Sequence, residues 1–295
     1  MTFSLRQLHP LFVGEVGGVD CGRPFDAPTV RAIAEAIDRY AVLVFRGQDL
    51  DDERQMSFAR DFGELEIPRS GRADVKRRLR PEMSDISNLD EQGRLRGHAD
   101  PRRFDQLGNR LWHADGSFRR VPAALSMLYA HRVPRPGPLG SGETEFADLR
   151  AAYDALPART KAEIEDLVAL HDIAWSRAQL GFTELLFGEK DVLPPVPQRL
   201  VRTHPGSGRK TLYLAAHASE IVGWPLPDGR LLLRELIEQA TRREFVYRHE
   251  WREGDLVIWD NRCTMHRGRH FDEGEVRDLR RVTTRDIAST LDQVA

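Results

Sequence analysis

Residues 110–118 read RLWHADGSF and set a histidine and an aspartate two positions apart, His113 and Asp115. In an extended chain, side chains i and i+2 point to the same face. With its aromatics, this stretch predicts a strand or strand end. It would aim His113 and Asp115 one way with Leu111 and Ser117, and Trp112, Ala114 and Phe118 the other. An imidazole beside a carboxylate suits a divalent metal, and the third ligand must come from a distant strand. His266 is the best candidate, in GDLVIWDNRCTMHRG. A buried-strand pattern delivers the chain there, a turn at Asp260 and Asn261 redirects it, and the histidine follows. Two histidines and one carboxylate on one side of a metal leave the opposite positions open, as in the facial triad of non-heme Fe(II) oxygenases. Zinc with a bound water uses the same ligand types, and a lone His-x-Asp is common without any metal.

The same triplet occurs as His98 to Asp100 in RGHADPRR. Gly97 precedes it, Pro101 follows it and arginines crowd both sides. Proline removes a donor and restricts its neighbour, so a loop is expected there, without metal ligands. His266 and His270 are four apart and mimic a helical zinc pair, but the glycine and charges around them argue against a helix.

Arginines support the His113 copy. Around DLRRVTT, positions 277, 279, 281 and 283 share a strand face, which pairs Arg277 with Arg281. A guanidinium grips a carboxylate through two parallel hydrogen bonds, so two forks beside one metal point to two carboxylate-bearing ligands. Arg280 falls on the opposite face, where ordinary ion pairs are worth little.

The positioning elements follow from periodicity. After Pro28, Val30, Ile33, Ala34 and Ile37 recur at helical spacing. DDERQMSFARDFG reads as a second helix stopped by Gly63, and DGRLLLRELIEQATRR as an amphipathic one. Two shorter helical stretches flank Pro157. AVLVF (41–45) has the length of a buried strand, RTHPGSGRKTLYLAA reads as strand, loop, strand, and EFVYRHEW, GDLVIWD and DLRRVTT are strands set apart by turn residues such as Gly254 and Asn261. Strands dominate the C-terminal half and surround the His113 motif. The expected class is mainly β with helical insertions, a sandwich or jelly roll rather than a parallel α/β sheet. Residues 64–108 break the pattern, being basic and punctuated by glycine and proline. They read as a long loop over the site or a solvated basic surface, with SDISN (84–88) a short ordered piece.

The chain has 295 residues, with 44 Lys+Arg against 46 Asp+Glu and a net charge of -2. One catalytic domain with insertions accommodates that length. The charge balance gives no footprint for nucleic acid or an anionic membrane. No apolar run approaches the ~20 residues of a membrane span, and the N-terminus lacks a signal-peptide core. Cys21 and Cys263 lie far apart and suit a reducing compartment. A cytoplasmic location and a homo-oligomer are expected.

Several motifs in order, LHPLFVGEVGGVD, VLVFRGQ, NRLWHADGSF, TEFADLRAAYDALP, VRTHPGSGRK and GDLVIWDNRCTMHRG with RDLRRVTT, make the chain similar to the Fe(II)/2-oxoglutarate dioxygenases of the taurine dioxygenase superfamily. The resemblance covers nearly the whole length. It implies a double-stranded β-helix holding Fe(II) through His113, Asp115 and His266. It also implies 2-oxoglutarate as cosubstrate, bound by Thr144 and Arg277, and a substrate acid met by Arg281, with Asn109 and Trp259 lining the metal pocket. The segment 134–143 is longer than the family's usual turn before the threonine. The implied reaction consumes O2 and hydroxylates a small acidic aryloxyalkanoate resembling 2,4-dichlorophenoxyacetate, releasing a phenol, glyoxylate, succinate and CO2. The alternatives are the same mechanism on an alkylsulfonate such as taurine or another small carboxylate, a zinc hydrolase, and a non-catalytic β-sandwich binding protein.

Overall fold

A computed structural model describes residues 3–67, 77–97, 100–181 and 193–293. Its frame is a seven-stranded sheet. In spatial order the strands are Ser4–Gln7, Gly14–Gly17, Val42–Phe45, Leu256–Asp260, Ala123–Arg132, Asp278–Arg285 and Met83–Ser87. All neighbours pair antiparallel except Gly14–Gly17 with Val42–Phe45. The central strands are buried on both faces, which explains their unbroken apolar runs. Leu43, Phe45, Met127, Tyr129, Leu256 and Ile258 join one core, while Val42, Val44, Leu128, Ala130, Val257 and Trp259 join another. This is the period-2 alternation of strands.

The first core is closed by two helices, Ala27–Tyr40 and Asp52–Arg60, through Ile33, Ile37, Met56 and Phe58. Each starts at an aspartate whose side chain accepts from the first turn, Asp26 from the Thr29 N–H and Asp51 from the Arg54 N–H, which satisfies an otherwise orphaned donor. The second core meets a smaller sheet of Val246–His249, Thr144–Asp148 and Thr264–Gly268, whose Phe146 packs 5.5 Å from Trp259. A further sheet of Ala218–Ile221, Val168–His171 and Val196–Arg199 packs with helix Leu226–Ala240 around its own core. The described structure is thus mostly β with helices, as its residue pattern implies.

Two expectations need correction. Residues 111–118 form no strand: His113 makes one isolated antiparallel bridge to His266, and a turn begins at Asp115. Gly116, with φ +63, turns the chain away at once. The described residues within 64–108 are more ordered than a single loop. The short ordered piece expected at 84–88 is Met83–Ser87, the edge strand of the large sheet, whereas Pro101–Leu107 is a helix where loop was expected. Proline at the first helical position lacks only a hydrogen that would have been unpaired anyway. The basic residues here are not simply solvated: Arg78 donates to both Asp85 and Asp278. Residues 68–76 and 98–99 lie outside the described residues, and His98 with them.

Candidate metal centre and active site

His113 and His266 are joined backbone to backbone. His113 N–H donates to the His266 carbonyl at 3.0 Å, and the reverse bond is 2.8 Å. This places the two rings with centroids 4.2 Å apart. Asp115, two residues on, brings its carboxylate between them. Its Oδ1 lies 3.8 Å from His113 Nε2 and its Oδ2 3.7 Å from His266 Nε2. These separations are too long for hydrogen bonds and short enough for one cation to be shared.

The protonation states agree with metal ligation. His113 Nδ1 lies 2.8 Å from the Leu111 carbonyl, an acceptor, so Nδ1 carries the hydrogen and Nε2 presents a lone pair to the cluster. Burial pulls both imidazole pKa values down, that of His266 far below its ordinary value. Both rings are therefore neutral at pH 7. Burial pushes the Asp115 carboxyl up, but the Arg281 guanidinium leads the groups that outweigh it and hold it well below the usual carboxylate range. Two neutral imidazoles and one carboxylate form the donor set that suits Fe(II). His266 Nδ1 is buried without a hydrogen-bond partner among the described residues. Its ring is held by aromatics instead, Trp259 at 4.6 Å and Phe146 at 6.0 Å.

A cavity of about 300 Å³ opens on this cluster. His113, His266, Asn109, Thr144, Trp259, Arg277 and Arg281 all line it, so residues named from sequence alone share one chamber. Thr144 Oγ1 accepts from Trp251 Nε1 at 3.0 Å, which leaves its hydroxyl hydrogen to donate. Trp259, only 1% exposed, serves packing and pocket wall at once. Arg277 is 8% exposed and donates from Nη1 to the Ile86 carbonyl at 2.8 Å. Among the described residues no carboxylate pairs with it. Burial and the nearby Arg110 bring its pKa down to about 10, so it remains a cation at neutral pH. A buried, uncompensated charge is costly, and an anionic ligand is its natural complement. The long turn 134–143 ends against this residue. Gly142, at φ +70, passes so close that a Cβ would stand 3.2 Å from Arg277 Nε.

Arg281 departs from a simple ligand-facing fork, because its Nη1 donates to Asp115 Oδ1 at 2.5 Å. Arg280, on the opposite face, pairs with Asp52 and Asp278 as the alternation required. Sequence reasoning missed Ser126 and Asn261, which bond Asp115, since a buried serine and a turn asparagine carry no signal of their own. It also missed Arg177, whose guanidinium fills the space a Cβ at Gly108 would need and which, after burial and Arg281, adds a small part to the lowering of the His113 pKa. Segment 64–108 contributes Ile86, Leu95 and Gln106 to the cavity wall. A second buried trio, His204, Asp260 and Cys263, has metal-like spacing. There both carboxylate oxygens are taken, by Arg262 and His204, so the trio is an ion-paired core element.

A mostly β frame that gathers this donor set beside a cavity with two arginines in its wall, Arg277 and Arg281, defines a mononuclear non-heme metal oxygenase. The chain belongs to the taurine catabolism dioxygenase TauD, TfdA family, whose model matches residues 4–283. It is 46% identical over 294 residues to the alpha-ketoglutarate-dependent 2,4-dichlorophenoxyacetate dioxygenase of Cupriavidus pinatubonensis (strain JMP 134 / LMG 1197), covering 98% of this chain and 99% of that one. It is 37% identical to the (S)-phenoxypropionate/alpha-ketoglutarate-dioxygenase of Sphingobium herbicidovorans, covering 94% and 92%. The crystal structure of AAD-2 in complex with Mn(II) and N-oxalylglycine superposes with a TM-score of 0.90 at 48% identity, covering 99% of this chain and all of that one.

Proposed function

We propose that this chain is an Fe(II)/2-oxoglutarate-dependent dioxygenase that hydroxylates an aryloxyalkanoic acid of the 2,4-dichlorophenoxyacetate type. The observation that carries the reading is the shared cavity: a neutral-imidazole and carboxylate trio with Arg277 and Arg281 in its wall. His113, Asp115 and His266 would hold the iron. When bound, iron supplies the O2 chemistry that couples decarboxylation of 2-oxoglutarate to hydroxylation of the substrate.

The protein's part is to bind, orient and exclude water. Arg277 and the Thr144 hydroxyl would grip the far carboxylate of 2-oxoglutarate. Arg281 would meet the acid of the organic substrate, which fixes the carbon beside its ether oxygen toward the metal. Asn109 and Trp259 would shape the chamber, and Ile86, Leu107 and Leu128 give it apolar wall for an aryl ring. One oxygen atom of O2 enters the C–H bond and the other enters succinate, with release of CO2. The resulting hemiacetal separates into a phenol and glyoxylate.

We further infer one dioxygenase domain over residues 1–295, built as a double-stranded β-helix, with segment 64–108 covering the substrate. Facing sheets on either side of the cavity and the wall residues drawn from that segment support this. Cytoplasmic residence is supported by two buried, unpaired cysteines. Among the described residues no helix is long and apolar enough to cross a membrane. A homo-oligomer is the expected assembly, read by light scattering. The deciding experiment reconstitutes the protein anaerobically with Fe(II), admits O2, and measures succinate across aryloxyalkanoates and alkylsulfonates. Succinate and phenol in step with aryloxy acids are expected. Sulfite release from taurine in their place would move the substrate to the sulfonates, and turnover with Zn(II) in the absence of O2 would replace the reaction class.

A further inference from the structure

Asp115 lies in a turn, outside any strand, so the sheet does not hold it as a strand position would be held. Something else has to fix a carboxylate to the sub-ångström tolerance of a metal site. The buried side chain of Asn261, one residue beyond strand Leu256–Asp260, uses all of its hydrogen-bonding positions on that task. Its Oδ1 accepts from the Asp115 N–H at 3.0 Å and from Trp259 Nε1 at 3.0 Å. Its Nδ2 donates to Ser126 Oγ at 3.0 Å and to the Ala124 carbonyl at 3.3 Å. Ser126 Oγ then donates to Asp115 Oδ2 at 2.7 Å.

The amide orientation is forced. A backbone N–H and an indole N–H can only donate, and the Ala124 carbonyl can only accept. Ser126 is forced in turn, because it receives from Nδ2 and the carboxylate can only accept. Asn261 thus reaches Asp115 by two arms, directly at the backbone and through Ser126 at the side chain, in a fully satisfied buried network. Its third contact, the Trp259 indole, is the ring that packs against His266.

We propose that Asn261 is the positioning residue of the metal centre, holding Asp115 and, through Trp259, the His266 ring in ligating geometry. The proposal rests on the metal-centre reading above. Its test is Mn(II) affinity of the metal-free protein, measured by electron paramagnetic resonance for the wild type, Asn261→Ala, Ser126→Ala and the double variant, with circular dichroism as the folding check. Removing an outer partner of a ligand typically costs roughly 10- to 100-fold in metal affinity, and that loss is expected for Asn261→Ala. Ser126→Ala should lose less, and the double variant should lose less than the product of the two, since both act on one carboxylate. With Fe(II), kcat should fall while the KM for 2-oxoglutarate holds, because Arg277 and Thr144 are untouched.

A purely structural role would lower the melting temperature and leave Mn(II) affinity of the folded protein unchanged, and that result overturns the proposal. If Asn261→Ala does not fold, Ser126→Ala decides alone: wild-type affinity in it removes the relay. Failure of the wild type to bind Mn(II), or undiminished binding in His113→Ala, overturns the metal-centre reading and this inference with it.

Discussion

Arg281 and Asp115, 166 positions apart in sequence, are joined by a 2.5 Å hydrogen bond from guanidinium Nη1 to carboxylate Oδ1. The arginine proposed to meet the substrate's acid thus already touches a proposed metal ligand. On the proposed assignment, substrate docking and the ligand's electron donation would share one cation, so disturbing either would be felt by the other. Arg281→Leu should therefore weaken Mn(II) binding, by roughly tenfold or more, as well as abolish efficient use of aryloxyacetates. Arg281→Lys keeps the charge but loses the fork, and should recover metal affinity better than turnover. Metal titration beside phenol-to-succinate ratios separates the two effects. Wild-type metal affinity in Arg281→Leu would mean that the bond to Asp115 contributes nothing in solution.

Arg277 should behave differently, because its guanidinium is buried beside no acid among the described residues and contacts no proposed metal ligand. Losing a buried charged partner costs about 2–5 kcal/mol. Arg277→Leu should raise the 2-oxoglutarate requirement by about the same energy, roughly thirtyfold or more, while Mn(II) affinity without cosubstrate stays near that of the wild type. An equal rise in the requirement for the aryloxy acid would remove Arg277 from the cosubstrate site.

Of the two His-Ala-Asp copies, only the second is proposed to bind metal. His113→Ala and Asp115→Ala should bind Mn(II) far more weakly than the wild type, and His98→Ala should bind it normally. Calorimetric titration of the three variants settles the choice. Loss of binding in His98→Ala with retention in His113→Ala would reverse it.

The pH dependence of folding should show the buried histidines. His171 stacks on Tyr213 with centroids 5.6 Å apart, neither ring nitrogen has a partner among the described residues, and burial lowers its pKa to about 3. The unfolded chain binds a proton near pH 6.5, whereas the folded chain does not until about pH 3. Below pH 6.5 the unfolded state therefore binds more protons, and stability is lost as the pH is lowered. One such group costs about 1.4 kcal/mol for each pH unit below 6.5. Urea unfolding of the metal-free protein at pH 7.0, 6.0 and 5.0 should show this decline, and His171→Phe should flatten it by about one proton's share. An unchanged slope in that variant would place the proton uptake elsewhere.

The chemical inventory of the site was legible in the residues themselves. Donor types, the two-residue spacing of His113 and Asp115, and the period-2 pairing of Arg277 with Arg281 are local properties; the first two reappear in the His113, Asp115 and His266 cluster, and both arginines line the cavity that opens on it. The buried strands 42–45 and 256–260 and helix Ala27–Tyr40 were legible for the same reason: apolar periodicity is written along the chain. The strand expected at residues 111–118 failed because pattern alone does not reveal a missing partner. Only the isolated bridge to His266 extends the chain there, and Gly116 ends it. The helix at Pro101–Leu107 was hidden by glycine, proline and arginine, whose local signal reads as loop, although proline at a helix start conforms to the helix.

Composition, element class and the list of reactive side chains were determined by sequence, since they depend on residue identity and near-neighbour spacing. Only the tertiary structure decided which groups share a hydrogen bond. It tied Arg281 to Asp115, enclosed Asp115 in the Asn261 and Ser126 network, and left Arg277 without an acid among the described residues. Those outcomes turn on distances of about 3 Å between residues far apart in the chain. Such distances are set by how two sheets pack, and nothing in the local pattern of either partner encodes them.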